Sequence, residues 1–79
     1  MEEEGNIFQA MAEKWPSNVV ARTQVPTFTG GLMSEKYQAN LDSLGKGPEG
    51  AMRVGRKIIY PVNNYVKWLA GRSSVIPKK

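Results

Sequence analysis

Ala51-Met52-Arg53-Val54-Gly55-Arg56-Lys57-Ile58-Ile59-Tyr60-Pro61 sets two short β-prone runs on either side of Gly55-Arg56. Glycine at the first of two turn positions suits a type II′ hairpin, because that position needs a positive φ. Met52 and Val54 alternate with Arg53, and Ile58 and Tyr60 alternate with Lys57 and Ile59. Such alternation gives each strand one apolar face. Arg53, Arg56 and Lys57 crowd the hairpin tip. Pro61 ends the second strand, and a final helix is predicted over residues 62–70 with Gly71 as its stop. Val62, Tyr65, Val66 and Leu69 form its buried stripe, flanked by Trp68.

Upstream of the hairpin, Gly45-Lys46-Gly47-Pro48-Glu49-Gly50 is a loop. Before it, Ser34 is placed to cap a helix over 35–44 that Gly45 terminates. Tyr37, Leu41 and Leu44 fall at i, i+4 and i+7, predicting one apolar stripe facing the core. Glu35, Lys36, Gln38, Ala39 and Asp42 are then expected on the opposite, outward face, while Asn40 either hydrogen-bonds into the loop at Gly45–Pro48, the favoured role, or reaches a base. Further upstream, Thr23 is the expected cap of a short helix over 24–29, which Gly30-Gly31 closes. Val19-Val20 reads as a brief extended piece. Asn6 is a candidate cap for a helix carrying Ile7, Phe8, Met11 and Trp15, stopped by Pro16.

The domain organisation expected from this punctuation is an acidic N-terminal arm over 1–14, one folded domain over 15–72 and a basic, flexible tail over 73–79. The fold class is α+β: short helices with one β-hairpin. The chain has 79 residues, 41% of them hydrophobic and 23% charged, a globular balance. A domain of this size buries roughly 60% of its unfolded surface, which leaves little volume for a deep catalytic cavity. It contains neither cysteine nor histidine. That excludes disulfides, thiolate nucleophiles, the usual zinc ligands and the usual general base. No cofactor and no metal are expected, and no apolar run is long enough to span a membrane.

The net charge of +4 conceals a segregation. Residues 1–14 hold four glutamates against Lys14, a local charge of −3, whereas the rest of the chain carries +7. From Arg53 onward there are seven cations and no acid. A one-signed field on so small a body favours polyanions, nucleic acid before an anionic membrane surface. Helix, glycine turn, helix, loop, basic hairpin, helix is also an order of parts that serves duplex DNA. The second helix of such a pair enters the major groove, and a cationic hairpin reaches the neighbouring backbone or minor groove as a wing.

The segment from Gly47 to Pro61, running into Tyr65-Val66-Lys67-Trp68-Leu69, resembles the excisionase and AlpA-like group of small DNA-binding proteins. Arg53-Val54-Gly55-Arg56-Lys57 matches that family's wing and Trp68-Leu69 its helix end. Thr29-Gly30-Gly31-Leu32-Met33-Ser34 and the stretch from Ala39 to Pro48 are similar to its helix-turn-helix half. The likeness covers about residues 15–70. Pro26 and the acidic start depart from the pattern. The resemblance implies a winged helix-turn-helix related to the MerR DNA-binding domain, in a cytoplasmic, nucleoid-associated protein of bacterial or phage origin. It implies a recombination directionality factor that bends DNA near attachment sites and biases an integrase toward excision, or else a prophage transcription regulator.

The candidate DNA contacts are Ser34, Glu35, Lys36, Gln38 and Ala39 on the recognition helix, and Arg53, Arg56 and Lys57 on the wing. Arg22, Thr23 and Lys46 are secondary candidates. Partners expected are double-stranded DNA, an integrase and further copies of the chain on DNA. Two other classes are to be weighed. One is a protein-interaction module for an acidic partner such as an integrase. The other is a small enzyme, which is not expected: only Glu35, Asp42 and Glu49 supply carboxylates inside the folded region, and they form no constellation for acid–base work.

Overall fold

A computed structural model describes residues 3–73. The elements in chain order are α1 (Glu3–Lys14), β1 (Val19–Ala21), a 3-10 turn (Arg22–Gln24), α2 (Val25–Phe28), α3 (Glu35–Ser43), β2 (Met52–Val54), β3 (Lys57–Pro61) and α4 (Val62–Gly71). Among the described residues the result is an α+β arrangement of four α-helices and one three-stranded antiparallel sheet in the order β1-β3-β2.

The hairpin forms where the sequence predicts it. Val54 pairs with Lys57, leaving Gly55-Arg56 as a two-residue turn, with φ positive at Gly55 and not at Arg56, as a type II′ turn requires. The extended piece at Val19-Val20 has a larger role than a local reading assigns. It becomes β1 and pairs with β3, setting Val20 opposite Tyr60 across 40 positions of sequence. Both side chains are fully buried, so β3 is the central strand and its Tyr60 face is the floor of the core.

The first half of the helix pair differs from its prediction. Thr23 caps nothing. It lies in the 3-10 turn, and the chain enters it at Ala21, whose N–H donates to the Gln24 side chain at 3.2 Å. Proline has no N–H and tolerates only the first turn of a helix, so Pro26 sits at the start of α2, which runs for a single turn. At the end of α2, Gly31 N–H donates to Pro26 C=O at 2.8 Å and Gly30 N–H to Thr27 C=O at 3.2 Å, the paired bonds of a Schellman motif. The Thr29 hydroxyl donates to Val25 C=O at 2.8 Å and accepts from Met33 N–H at 3.1 Å, which ties the turn to the start of α3.

α3 starts and stops as its sequence predicts. The Ser34 hydroxyl accepts from Tyr37 N–H at 3.0 Å. Beyond the last turn, Lys46 N–H reaches Leu41 C=O at 2.9 Å and Gly45 N–H reaches Asp42 C=O at 3.0 Å, around a positive φ at Gly45. The rotation of the helix is not the expected one. Leu41 and Gln38 are buried, whereas Tyr37 is 45% and Leu44 67% exposed. The inward face therefore carries an amide and, at its edge, the Asp42 carboxylate.

α4 covers the core face of the sheet with Val62, Tyr65, Val66 and Leu69, all buried. Edge-on aromatic contacts run through the centre, Trp15 to Phe28 at 5.0 Å and Phe28 to Tyr65 at 5.7 Å between centroids. α1 begins at Glu3, before the predicted cap Asn6, and packs against α4; Phe8, Met11 and Ala12 lie on the core. The Trp15 indole N–H donates to Val19 C=O at 2.9 Å, fastening the end of α1 to β1. The tail expected over 73–79 lies outside the described residues after Ser73.

A candidate nucleic-acid interface

Five of the eleven candidate residues line one crevice. Arg22 and Thr23 from the 3-10 turn, Glu35 from the first turn of α3, and Arg56 and Lys57 from the hairpin surround about 310 Å³ of open space, with Ile58 as its apolar wall. Three cations from two separate elements thus meet the cap end of α3. Ser34 and Lys36 lie at the same end of that helix and are exposed, whereas Ala39 lies at its middle and is half-buried. Arg53 pairs with Ile58 across the hairpin, which places it on the same sheet face as Tyr60, while Lys57 pairs with Val54 on the opposite face. The hairpin cations therefore straddle the sheet.

Gln38 is not part of this surface. It is fully buried, and its carbonyl accepts from the Tyr65 hydroxyl at 2.7 Å while its amide N–H donates to Asp42 Oδ1 at 3.2 Å. Asp42, expected outward, closes the same network. Its Oδ2 accepts from Arg22 Nη2 at 2.6 Å and from the Tyr60 hydroxyl, which in turn accepts from Arg22 Nε at 3.0 Å. The cause is the core itself. Two tyrosine hydroxyls, on β3 and α4, sit beneath α3 and need partners that a leucine stripe cannot give. No buried side-chain polar atom is left without a partner among the described residues.

This network changes the standing of Arg22. Its guanidinium is one-quarter exposed, and two of its five N–H donors are committed to Tyr60 and Asp42. Arg22 therefore lines the crevice as part of a neutral ion pair rather than as a free cation. Burial, reinforced by its hydrogen bond to Asp42, pushes the Tyr60 hydroxyl up to about 12, and burial also holds the Tyr65 hydroxyl well above the ordinary phenol value. Sequence reasoning missed Asp42, Tyr60 and Tyr65 as the groups that fix α3 against β3 and α4. The available signal was two tyrosines on predicted buried stripes with no polar partner assigned to them.

Lys46 lies apart from the crevice, beyond the far end of α3, about 15 Å of helix away from the cap. Its backbone C=O accepts from the Trp68 indole N–H at 2.8 Å. Asn40 makes no side-chain hydrogen bond into the loop among the described residues. Asp42 approaches the loop instead, and its carboxylate leaves no room for a side chain at Gly47. Asn64 Nδ2 donates to Glu49 C=O at 3.1 Å and pins the loop's other end to α4.

Among the described residues, no group of three metal-ligating side chains is gathered, and no helix is long and apolar enough to cross a membrane. Compared with protein-family models, curated proteins and solved structures, the chain matches none.

Proposed function

We propose that this chain is a double-stranded DNA-binding protein of winged-helix type, with a binding rather than a catalytic role. In this reading the cap end of α3 enters the major groove, and the β2–β3 hairpin lies along the neighbouring backbone or minor groove. The observation that carries it is the crevice in which Arg56 and Lys57 of the hairpin meet Glu35 at the start of α3. A helix N-terminus presents unpaired N–H groups to phosphate, and cations beside it deepen the same attraction. Lys36 and Ala39 then face base edges, and Arg53, Arg56 and Lys57 face phosphates. A single module of this size covers about 600–1,000 Å² of DNA, so affinity would come from several copies on neighbouring sites. The cellular role is that of an excisionase-type directionality factor acting with an integrase in a bacterial or phage setting, or of an AlpA-like regulator. This part of the proposal rests on the sequence resemblance.

The test is fluorescence anisotropy on a duplex of about 25–30 base pairs between roughly 50 and 200 mM salt. Arg53→Ala/Arg56→Ala is measured beside the unchanged chain. The expected result is a steep loss of affinity with salt and a logarithmic slope shallower by about 1.8 in the double variant, one 0.9 step per phosphate contact. A folded protein that leaves the duplex free even at the lowest salt would overturn the reading. One observation favours a second reading, a protein-docking module. Met52 and Val54 share a face of edge strand β2 and stand exposed beside half-buried Ile59. Loss of integrase capture in Val54→Ser, with DNA binding intact, would support it.

A further inference from the structure

The crevice contains one residue that works against it. Glu35 is the only acid among the lining residues, and it is exposed. Among the described residues its carboxylate makes no hydrogen bond, and the one ion pair is Arg22–Asp42. Arg56 and Lys57 share the crevice with Glu35 yet neither is bonded to it. The cap bond is supplied by Ser34, so Glu35 is not needed for that purpose. On a surface that meets phosphates, an unpaired carboxylate repels the ligand unless it faces a hydrogen-bond donor on that ligand.

Phosphate and sugar-ring oxygens are acceptors, and a carboxylate is an acceptor only. The donors DNA displays in the major groove are the exocyclic amino groups, N4 of cytosine and N6 of adenine. Adenine sets its N7 acceptor beside N6, where it opposes the second carboxylate oxygen, whereas cytosine offers N4 with no acceptor on that side. Guanine and thymine present acceptors that a carboxylate repels. We infer that Glu35 is a specificity-determining residue, placed between the helix cap and the hairpin cations to select cytosine through its N4 amino group. The inference rests on the DNA-binding reading and names what that surface reads. The surrounding cations hold the backbone, and the acid rejects the wrong base at a cost in general affinity.

The experiment selects duplexes from a randomised library with the full chain, with Glu35→Gln and with Glu35→Ala, under one salt condition, and sequences what is retained. The unchanged chain is expected to enrich cytosine at one position of the site by roughly tenfold to a hundredfold. Glu35→Gln is expected to move that preference to adenine, because an amide both donates to N7 and accepts from N6. Glu35→Ala is expected to lose the preference and to bind arbitrary duplexes more tightly than the unchanged chain. The same enriched bases in all three proteins would overturn the assignment while leaving DNA binding in place, as would binding by the unchanged chain without any base preference. A lower melting temperature in the variants with unchanged base enrichment would show a helix-dipole role only and overturn it as well. No DNA retained by the folded, unchanged chain would overturn the DNA-binding reading itself.

Discussion

Two acids on α3 have opposite circumstances. Glu35 lines the crevice with no partner among the described residues, while Asp42 holds Arg22, Tyr60 and Gln38 together. Asp42→Ala strands three polar groups at once and is expected to destabilise the fold by about 2–4 kcal/mol, read by urea denaturation. The figure is set below that of a fully buried pair because Arg22 and Asp42 both reach solvent. Tyr60 adds a pH dependence. Folding raises its hydroxyl from 10.0 to about 12 and so favours the protonated form. Its contribution is therefore complete below pH 10 and is lost as pH climbs toward about 12. Tyr65 shifts in the same direction. The unfolding free energy should fall across that window, by up to ~1.4 kcal/mol per pH unit for each tyrosine, read from urea denaturation. Tyr60→Phe should show a smaller alkaline loss than the unchanged chain, and an equal loss would assign the effect elsewhere.

At the scale of elements, the α2–α3 connection depends on one hydroxyl. Thr29 donates to Val25 and accepts from Met33, so Thr29→Val keeps the shape of the side chain and removes both bonds. A loss of about 1–2 kcal/mol is expected, with faster amide exchange at Met33 than at the α4 amides. Local chemistry of this kind is what the sequence makes legible. Ser34, Gly45, Gly55 and Pro61 each fix a boundary through their own backbone or side chain, and each boundary falls where they predict it. Two features were out of reach of periodicity. The pairing of Val20 with Tyr60 is a long-range contact that no three-residue strand announces. The rotation of α3 follows from hydrogen-bond demand. Counting apolar positions puts Tyr37 and Leu44 inside, but the hydroxyls of Tyr60 and Tyr65 draw Gln38 and Asp42 inward. The same rotation removes Gln38 from the candidate site and leaves Lys36 and Ala39 on its outer side. The candidate crevice was legible as charge on the hairpin and a cap at Ser34, because both are local; the ion pair that neutralises Arg22 was not.

At the scale of the whole molecule, charge is divided between two stretches of the sequence. The three glutamates at positions 2–4 lower the net charge to +4 from the +7 it would have without them, while seven cations follow residue 52 with no acid among them. Long-range attraction to a polyanion depends on the total, whereas local phosphate contacts in the proposed complex depend on the hairpin cations Arg53, Arg56 and Lys57. Replacing Glu2, Glu3 and Glu4 with glutamine separates the two. The charge rises by three with no residue of the hairpin or α3 replaced. If the N-terminal acids act only through the general field, affinity for any duplex should rise severalfold at about 50 mM salt and converge on that of the unchanged chain near 200 mM, as screening shortens the reach of the field to about 8 Å. Should those acids instead contact the basic hairpin of a neighbouring copy on DNA, the glutamine variant would bind single sites more tightly but fill arrays of sites less cooperatively. Titrating one-site and three-site duplexes side by side distinguishes the outcomes, because a field effect raises both curves together and leaves the Hill slope of the array unchanged, whereas loss of a contact between copies lowers that slope.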